Sequence, residues 1–134
     1  EIALPRLHEF SSQALSNTVW AYATVGHSSP QLFNKVAKIP LSRLDEFNSQ
    51  EIANTVWAYA TVVHSSPKLF DKAAEVALPR LHEFSSQALA STVWSYATVG
   101  NSSPQLFDRV AEIALPRIHE FSSQALSNTV WAYA

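Results

Sequence analysis

Apolar residues recur along the chain in two alternating helical rhythms. In the first, from about Pro30 to Glu46, Phe33, Val36, Ala37, Leu41 and Leu44 fall on one face. Gln31, Asn34, Lys35, Lys38, Ser42 and Asp45 fall on the other. This is the pattern of an amphipathic helix with one side against a core. Ser29 stands where an N-cap belongs and Pro30 at the first helical position, where its missing N–H costs nothing. The matching stretches carry Pro5, Pro79 and Pro116 inside the helix, and this one carries Pro40, two places earlier in phase. Proline there removes a backbone hydrogen bond, which predicts a kink or a break into two short helices.

The second rhythm runs from about Ser12 to Val25 and returns in later copies. Its predicted N-caps are Ser11, Asn48, Ser85 and Ser122, and Asn48 with Glu51 has the spacing of a capping box. Phe10 and Leu15 are spaced as a hydrophobic staple across that cap. Gly26 and Gly100 suit the position after the helix, where a positive φ is often needed; Val63 replaces them in the second copy. The connections are short, so consecutive helices should pack antiparallel.

Both rhythms repeat with one period. Trp20, Trp57, Trp94 and Trp131 are each 37 residues apart, and Phe10, Phe47, Phe84 and Phe121 keep the same step. Phe33, Phe70 and Phe107 keep it too, as do Pro30, Pro67 and Pro104. A two-helix unit cannot bury its own apolar faces, but a stack of such units can. The predicted fold is therefore all-α: an α-solenoid of stacked 37-residue helical hairpins. Residues 1–134 form a single array, with units at about 1–26 (partial), 27–63, 64–100 and 101–134 (partial). No unit has the polar outer face of a capping repeat, so the chain is expected to be a fragment of a longer protein. The outer sides of the terminal units, including Leu4, Leu7, Val130 and Tyr133, are expected to lack cover.

Composition supports a packed core and narrows the chemistry. Hydrophobic residues make up 47% and charged residues 15%, unlike a disordered chain. Cysteine is absent, which removes a disulfide framework, a thiolate metal site and a cysteine nucleophile. No apolar run approaches the roughly 18 residues of a membrane span, so no membrane partner is expected. The net charge of −2 gives no overall attraction to nucleic acid.

Candidate chemistry lies in ladders. The second helix is almost free of charge, and Gln13, Asn17 and Thr24 form a narrow polar stripe on it, flanked by Trp20 and Ala21. The stripe returns as Gln50, Asn54 and Thr61, as Gln87, Ser91 and Thr98, and as Gln124 and Asn128. Amides both donate and accept, which suits base edges or a peptide backbone; the competing role is to bridge neighbouring repeats or cap backbone groups. The tryptophans, being large aromatics at fixed phase, are expected in the core. Two basic ladders also repeat. Lys35, Lys72 and Arg109 form one, with phosphate contact as its functional reading. Arg6, Arg43, Arg80 and Arg117 form the other, and each has a glutamate three residues on, the spacing of a local ion pair. His8, His82 and His119 share one phase and His27 and His64 another; neither set has metal-ligand spacing. No metal, cofactor or small-molecule substrate is expected. A unique catalytic constellation is hard to build from features present three or four times, so the chain is expected to bind rather than catalyse.

The string FSSQALSNTVWAYATVG followed by HSSPQLF resembles the octotricopeptide repeats. The resemblance is carried by Phe10, Gln13, Leu15, Ser16, Asn17, Trp20, Ala21, Tyr22 and Ala23 and the same phases downstream. It covers the whole chain. It implies an α-solenoid that binds RNA in chloroplasts or mitochondria and controls transcript stability, processing or translation, related to the helical repeats of FAST-kinase-like proteins. Two functions stay open on the residues: a single-stranded RNA-binding array, with Gln13, Asn17, Gln50, Asn54, Gln87, Ser91, Gln124, Asn128, Lys35, Lys72 and Arg109 as candidate contacts, or a protein-binding scaffold of the tetratricopeptide or armadillo type.

Overall fold

A computed structural model describes residues 11–24, 43–62, 67–101 and 103–134. Lys35, Arg6, the Pro30–Val36 stretch, Pro5, Pro40, Gly26, Val63, Leu4, Leu7, and the histidines at 8, 27 and 64 lie outside them. Most of the described residues are helical, with no strand among them. They form six α-helices: α1 (Ser12–Thr24), α2 (Ser49–Thr61), α3 (Pro67–Ala77), α4 (Ser86–Thr98), α5 (Pro104–Ala114) and α6 (Ser123–Tyr133). Three short 3-10 helices, Leu44–Glu46, Leu78–Glu83 and Leu115–Glu120, precede α2, α4 and α6.

The break predicted at proline is present in both copies where it is described. The α-helix stops at Ala77 and at Ala114, and Pro79 and Pro116 lie in the first turn of the 3-10 segments that follow. Proline has no N–H to continue the α-helical ladder, and a tighter helix carries the chain on instead. Each 3-10 segment ends at a phenylalanine in extended conformation: Phe47, Phe84 or Phe121.

The second helices start at the predicted caps. Asn48 Oδ1 accepts from the Glu51 N–H at 2.8 Å, and the Asn48 N–H donates to Glu51 Oε1 at 3.0 Å, which completes the capping box. Ser11, Ser85 and Ser122 each accept from the backbone N–H three residues on. Phe47 and Ile52, and likewise Phe84 and Leu89, are buried at the two staple positions. At the end of α4, Gly100 has φ +72°. The Asn101 N–H reaches the Tyr96 carbonyl and the Gly100 N–H that of Ala97. These two bonds form a Schellman motif, and the positive φ is what calls for glycine.

The substantial contacts join elements of the same or adjacent copies: α1 packs on α2, α2 on α4 and α4 on α6. Many of the buried residues on these helices are small. Ser16, Ala53, Ala58, Ala60, Ala88, Ala90 and Ser95 are buried, with Thr55 and Thr92. The threonine hydroxyls turn back on their own helices: Thr55 Oγ1 donates to the Glu51 carbonyl at 2.8 Å and Thr92 Oγ1 to that of Ala88 at 2.7 Å. A dry helix-to-helix joint tolerates them for that reason. Helices buried from two sides have no room for charge, which explains why the second rhythm is so poor in it.

Larger residues join the first helices to this row. Phe70 meets Tyr96 edge-on at 4.9 Å, and the Tyr96 hydroxyl donates to the Phe70 carbonyl at 2.5 Å. Phe107 and Tyr133 repeat both contacts, at 5.2 Å and 2.6 Å. Burial pushes the Tyr96 phenol well above its ordinary range, with the Asp71 carboxylate adding to the effect, and burial alone does the same to Tyr59. Val130 is 68% exposed and Leu115 71%, whereas Val93, one period earlier, is fully covered. The uncovered outer side expected for Val130 and Tyr133 is therefore present.

Candidate nucleic-acid interface

The second helices leave one narrow face toward solvent. On α2, Ile52, Ala53, Thr55, Val56, Ala58, Tyr59 and Ala60 are buried, while Gln50 is exposed and Asn54, Trp57 and Thr61 are half-buried. Positions four, seven and eleven residues apart fall within about 60° on a helix turning about 100° per residue. Gln50, Asn54, Trp57 and Thr61 therefore share one strip. The strip repeats as Gln13, Asn17, Trp20 and Thr24 on α1, and as Gln87, Ser91, Trp94 and Thr98 on α4. On α6 it is Gln124, Asn128 and Trp131. Because these helices pack side by side, the strips form one surface.

The amides neither bridge repeats nor cap backbone. Gln50 Nε2 donates to Asn54 Oδ1 at 2.9 Å, and Gln124 Nε2 to Asn128 Oδ1 at 3.0 Å, each within its own helix. In the third copy Gln87 Nε2 reaches Ser91 Oγ at a longer 3.4 Å. The paired amides keep the glutamine carbonyl, its second N–H and both asparagine N–H groups for a ligand, so each pair offers an acceptor beside donors. The threonines contribute less than their position suggests. Thr24 Oγ1 donates to the Trp20 carbonyl at 2.8 Å, and Thr61 Oγ1 and Thr98 Oγ1 are covered and have no partner.

The tryptophans meet the core expectation only in part. Trp20 is 43% and Trp131 54% exposed, and Trp57 and Trp94 are only partly buried against the core. The buried aromatics of the second helices are Tyr59 and Tyr96, two residues further on. Trp20 and Trp57 pair at 6.3 Å between ring centroids and Trp94 and Trp131 at 6.4 Å, both tilted. These separations lie near the long end of the range for aromatic pairs. The signal was in the spacing: each tryptophan follows the asparagine or serine of its strip by three residues.

The basic ladders belong to other surfaces. Lys72 and Arg109 lie on α3 and α5, outside the row of second helices, and pair with Glu75 at 3.2 Å and Glu112 at 3.0 Å. The other ladder is structural. Arg80 donates to the Phe47 carbonyl at 2.7 Å and Arg117 to that of Phe84 at 2.9 Å, each reaching back to the preceding copy. Arg43 and Arg117 also pair with the glutamates three residues on. The extended phenylalanine has a carbonyl outside any helical ladder, and the guanidinium satisfies it. Sequence reasoning anticipated the acid pairing but not the carbonyl. The described histidines, His82 and His119, are exposed beside Glu83 and Glu120. Among the described residues no cluster of His, Cys, Asp or Glu could hold a metal ion, and no helix is long and apolar enough to cross a membrane.

A search of curated proteins gave no match. The family described as RNA-editing substrate-binding complex 6 protein (RESC6) matches residues 8–134, which takes in every described helix. With nearly the whole length matched, the chain belongs to the RNA-editing substrate-binding complex 6 protein family.

Proposed function

We propose that the chain is an α-solenoid array that binds single-stranded RNA along the row of second helices. The observation that carries this reading is a strip repeated on four helices packed side by side: a glutamine, an asparagine or serine, and a tryptophan that is exposed on α1 and α6 and half-buried on α2 and α4. Base recognition in single strands uses this chemistry: aromatic faces for stacking, and donor and acceptor groups for the base edge. The family's description names a complex that binds RNA-editing substrates, which supports an RNA-related role. The resemblance to octotricopeptide repeats points the same way, and to transcript stability, processing or translation in a chloroplast or mitochondrion. Gln13, Asn17, Gln50, Asn54, Gln87, Ser91, Gln124 and Asn128 are the proposed base contacts. Lys72 and Arg109, each paired with a glutamate, contribute little.

The test is binding of the four ribonucleotide homopolymers at two salt concentrations. A preference for one or two of them is expected, with a shallow salt dependence because few phosphates are neutralised. Equal affinity for all four with a steep salt slope would mean nonspecific backbone attraction. A protein-binding scaffold is the second reading, favoured by the acid pairing of both basic ladders. It takes over if no RNA binds.

A further inference from the structure

The tryptophans lie on the exposed face and are only partly covered by packing. A core aromatic in this chain is fully covered and tightly partnered, as Tyr96 is by Phe70 at 4.9 Å. Trp57 and Trp94, on the helices flanked from both sides, are instead half-buried, and the Trp20–Trp57 and Trp94–Trp131 ring pairs are wider. Among the described residues no hydrogen bond engages the indole N–H of any of the four, and none is among the buried groups left without a partner. The indole N–H groups of Trp57 and Trp94 therefore reach solvent. Each ring follows an amide or hydroxyl by one helical turn, at Asn17, Asn54, Ser91 and Asn128. The strip around them carries no ionisable side chain apart from Glu51, which is engaged in capping.

An uncharged strip with a partly exposed indole at every repeat is a poor phosphate site but a suitable surface for flat rings. We propose that Trp20, Trp57, Trp94 and Trp131 are stacking platforms on which unpaired bases lie, while the adjacent amides or Ser91 meet the base edges. This rests on the RNA-binding reading above and deepens it: affinity comes from the bases rather than from the backbone. Stacking tolerates any base because every base has a flat face, and purines offer more of it. Purine homopolymers should therefore bind more tightly than pyrimidine ones.

The experiment uses the full chain and fluorescently labelled ten-nucleotide oligomers: polyadenylate, polyuridylate and an abasic ribose-phosphate chain of the same length. Binding is read by anisotropy of the label and by quenching of tryptophan emission, with circular dichroism monitoring the fold. The expected result is quenching on binding polyadenylate and weak or no binding of the abasic chain. Trp57→Leu should lower polyadenylate affinity on the order of tenfold, within the range for losing one stacked base. Trp57→Tyr keeps an aromatic face and should restore most of that loss; should Trp57→Leu fail to fold, this variant and the wild-type comparison with the abasic oligomer still decide. Polyadenylate binding without quenching, or abasic affinity equal to that for polyadenylate, would overturn the stacking proposal while leaving RNA binding in place. Failure of the wild-type chain to bind either base-bearing oligomer would overturn both.

Discussion

Trp57 and Tyr59 stand two residues apart on α2, yet Tyr59 is fully buried and Trp57 only partly so. The tyrosine phase belongs to the joint between first and second helices. Its described copies at Tyr96 and Tyr133 each donate to a phenylalanine carbonyl and meet that phenylalanine edge-on. The tryptophan phase belongs to the open strip, beside amides whose only described partners are each other. One period thus carries two aromatic ladders: one joins the first and second helices of a unit, and the other lies half-covered on the open strip, where the proposal places the bases. Size does not sort them, since the larger ring is the more exposed. Position on the helix does, because α2 and α4 are each covered by two neighbouring second helices and also contact a first helix, which leaves one narrow strip free.

This contrast can be broken most forcefully at Tyr96. Tyr96→Ala should destabilise the chain by about 3–5 kcal/mol, the range for emptying a large buried aromatic site, measured by urea unfolding. Tyr96→Phe should cost about 1–3 kcal/mol, because the ring stays and the Phe70 carbonyl loses a buried donor. If Trp57→Leu proves as damaging to stability as Tyr96→Ala, the two ladders are not functionally distinct.

Alkaline pH probes the same joint without mutation. The folded chain holds Tyr133 at about 12, and raises Tyr96 and Tyr59 further, chiefly by burial. An unfolded phenol titrates near 10. A phenol with a raised folded pKa stabilises the fold fully below pH about 10, and that contribution is lost as pH rises toward and through the folded value. Unfolding midpoints should therefore be flat around pH 8 and fall above pH about 10. A midpoint unchanged at pH 11 would mean that the tyrosines are not held neutral by the fold.

Arg80 sharpens the account of the basic ladder. Arg80→Met keeps much of the stem but leaves the Phe47 carbonyl without its guanidinium donor. The expected cost is about 1–2 kcal/mol, with homopolymer affinity unchanged. A large loss of RNA affinity without loss of stability would return this ladder to a phosphate-binding role. The smallest effect on the fold is expected at Ser91. Ser91→Asn should restore the amide pair of the other copies, change stability by less than about 0.5 kcal/mol, and tighten binding to the preferred homopolymer.

Much of this fold is legible locally. The N-caps at Ser11, Asn48, Ser85 and Ser122, the glycine at 100 and the breaks at Pro79 and Pro116 follow from backbone groups that each residue can or cannot satisfy. The long-range joints are not legible in that way. Arg80 reaches a carbonyl 33 residues back and Tyr96 one 26 residues back. Their shared period with phenylalanine says that they recur together, not that they touch. The strip was readable from helical spacing, with the amides placed correctly. The core expectation for the tryptophans holds in part, since Trp57 and Trp94 pack against the core while helical spacing also puts them on the strip. A threonine's place on the strip does not make its hydroxyl available, since it can turn inward or back onto its own helix without leaving its position.

The most direct test of the central claim is ultraviolet crosslinking of the full chain to a bound homopolymer, with the crosslinked peptides located by mass spectrometry. Contact through the strip predicts crosslinks at the tryptophans and their neighbours, on α2 and α4 above all, and few on α3 and α5. Crosslinks concentrated around Lys72 and Arg109, with the tryptophan peptides unmodified, would contradict it.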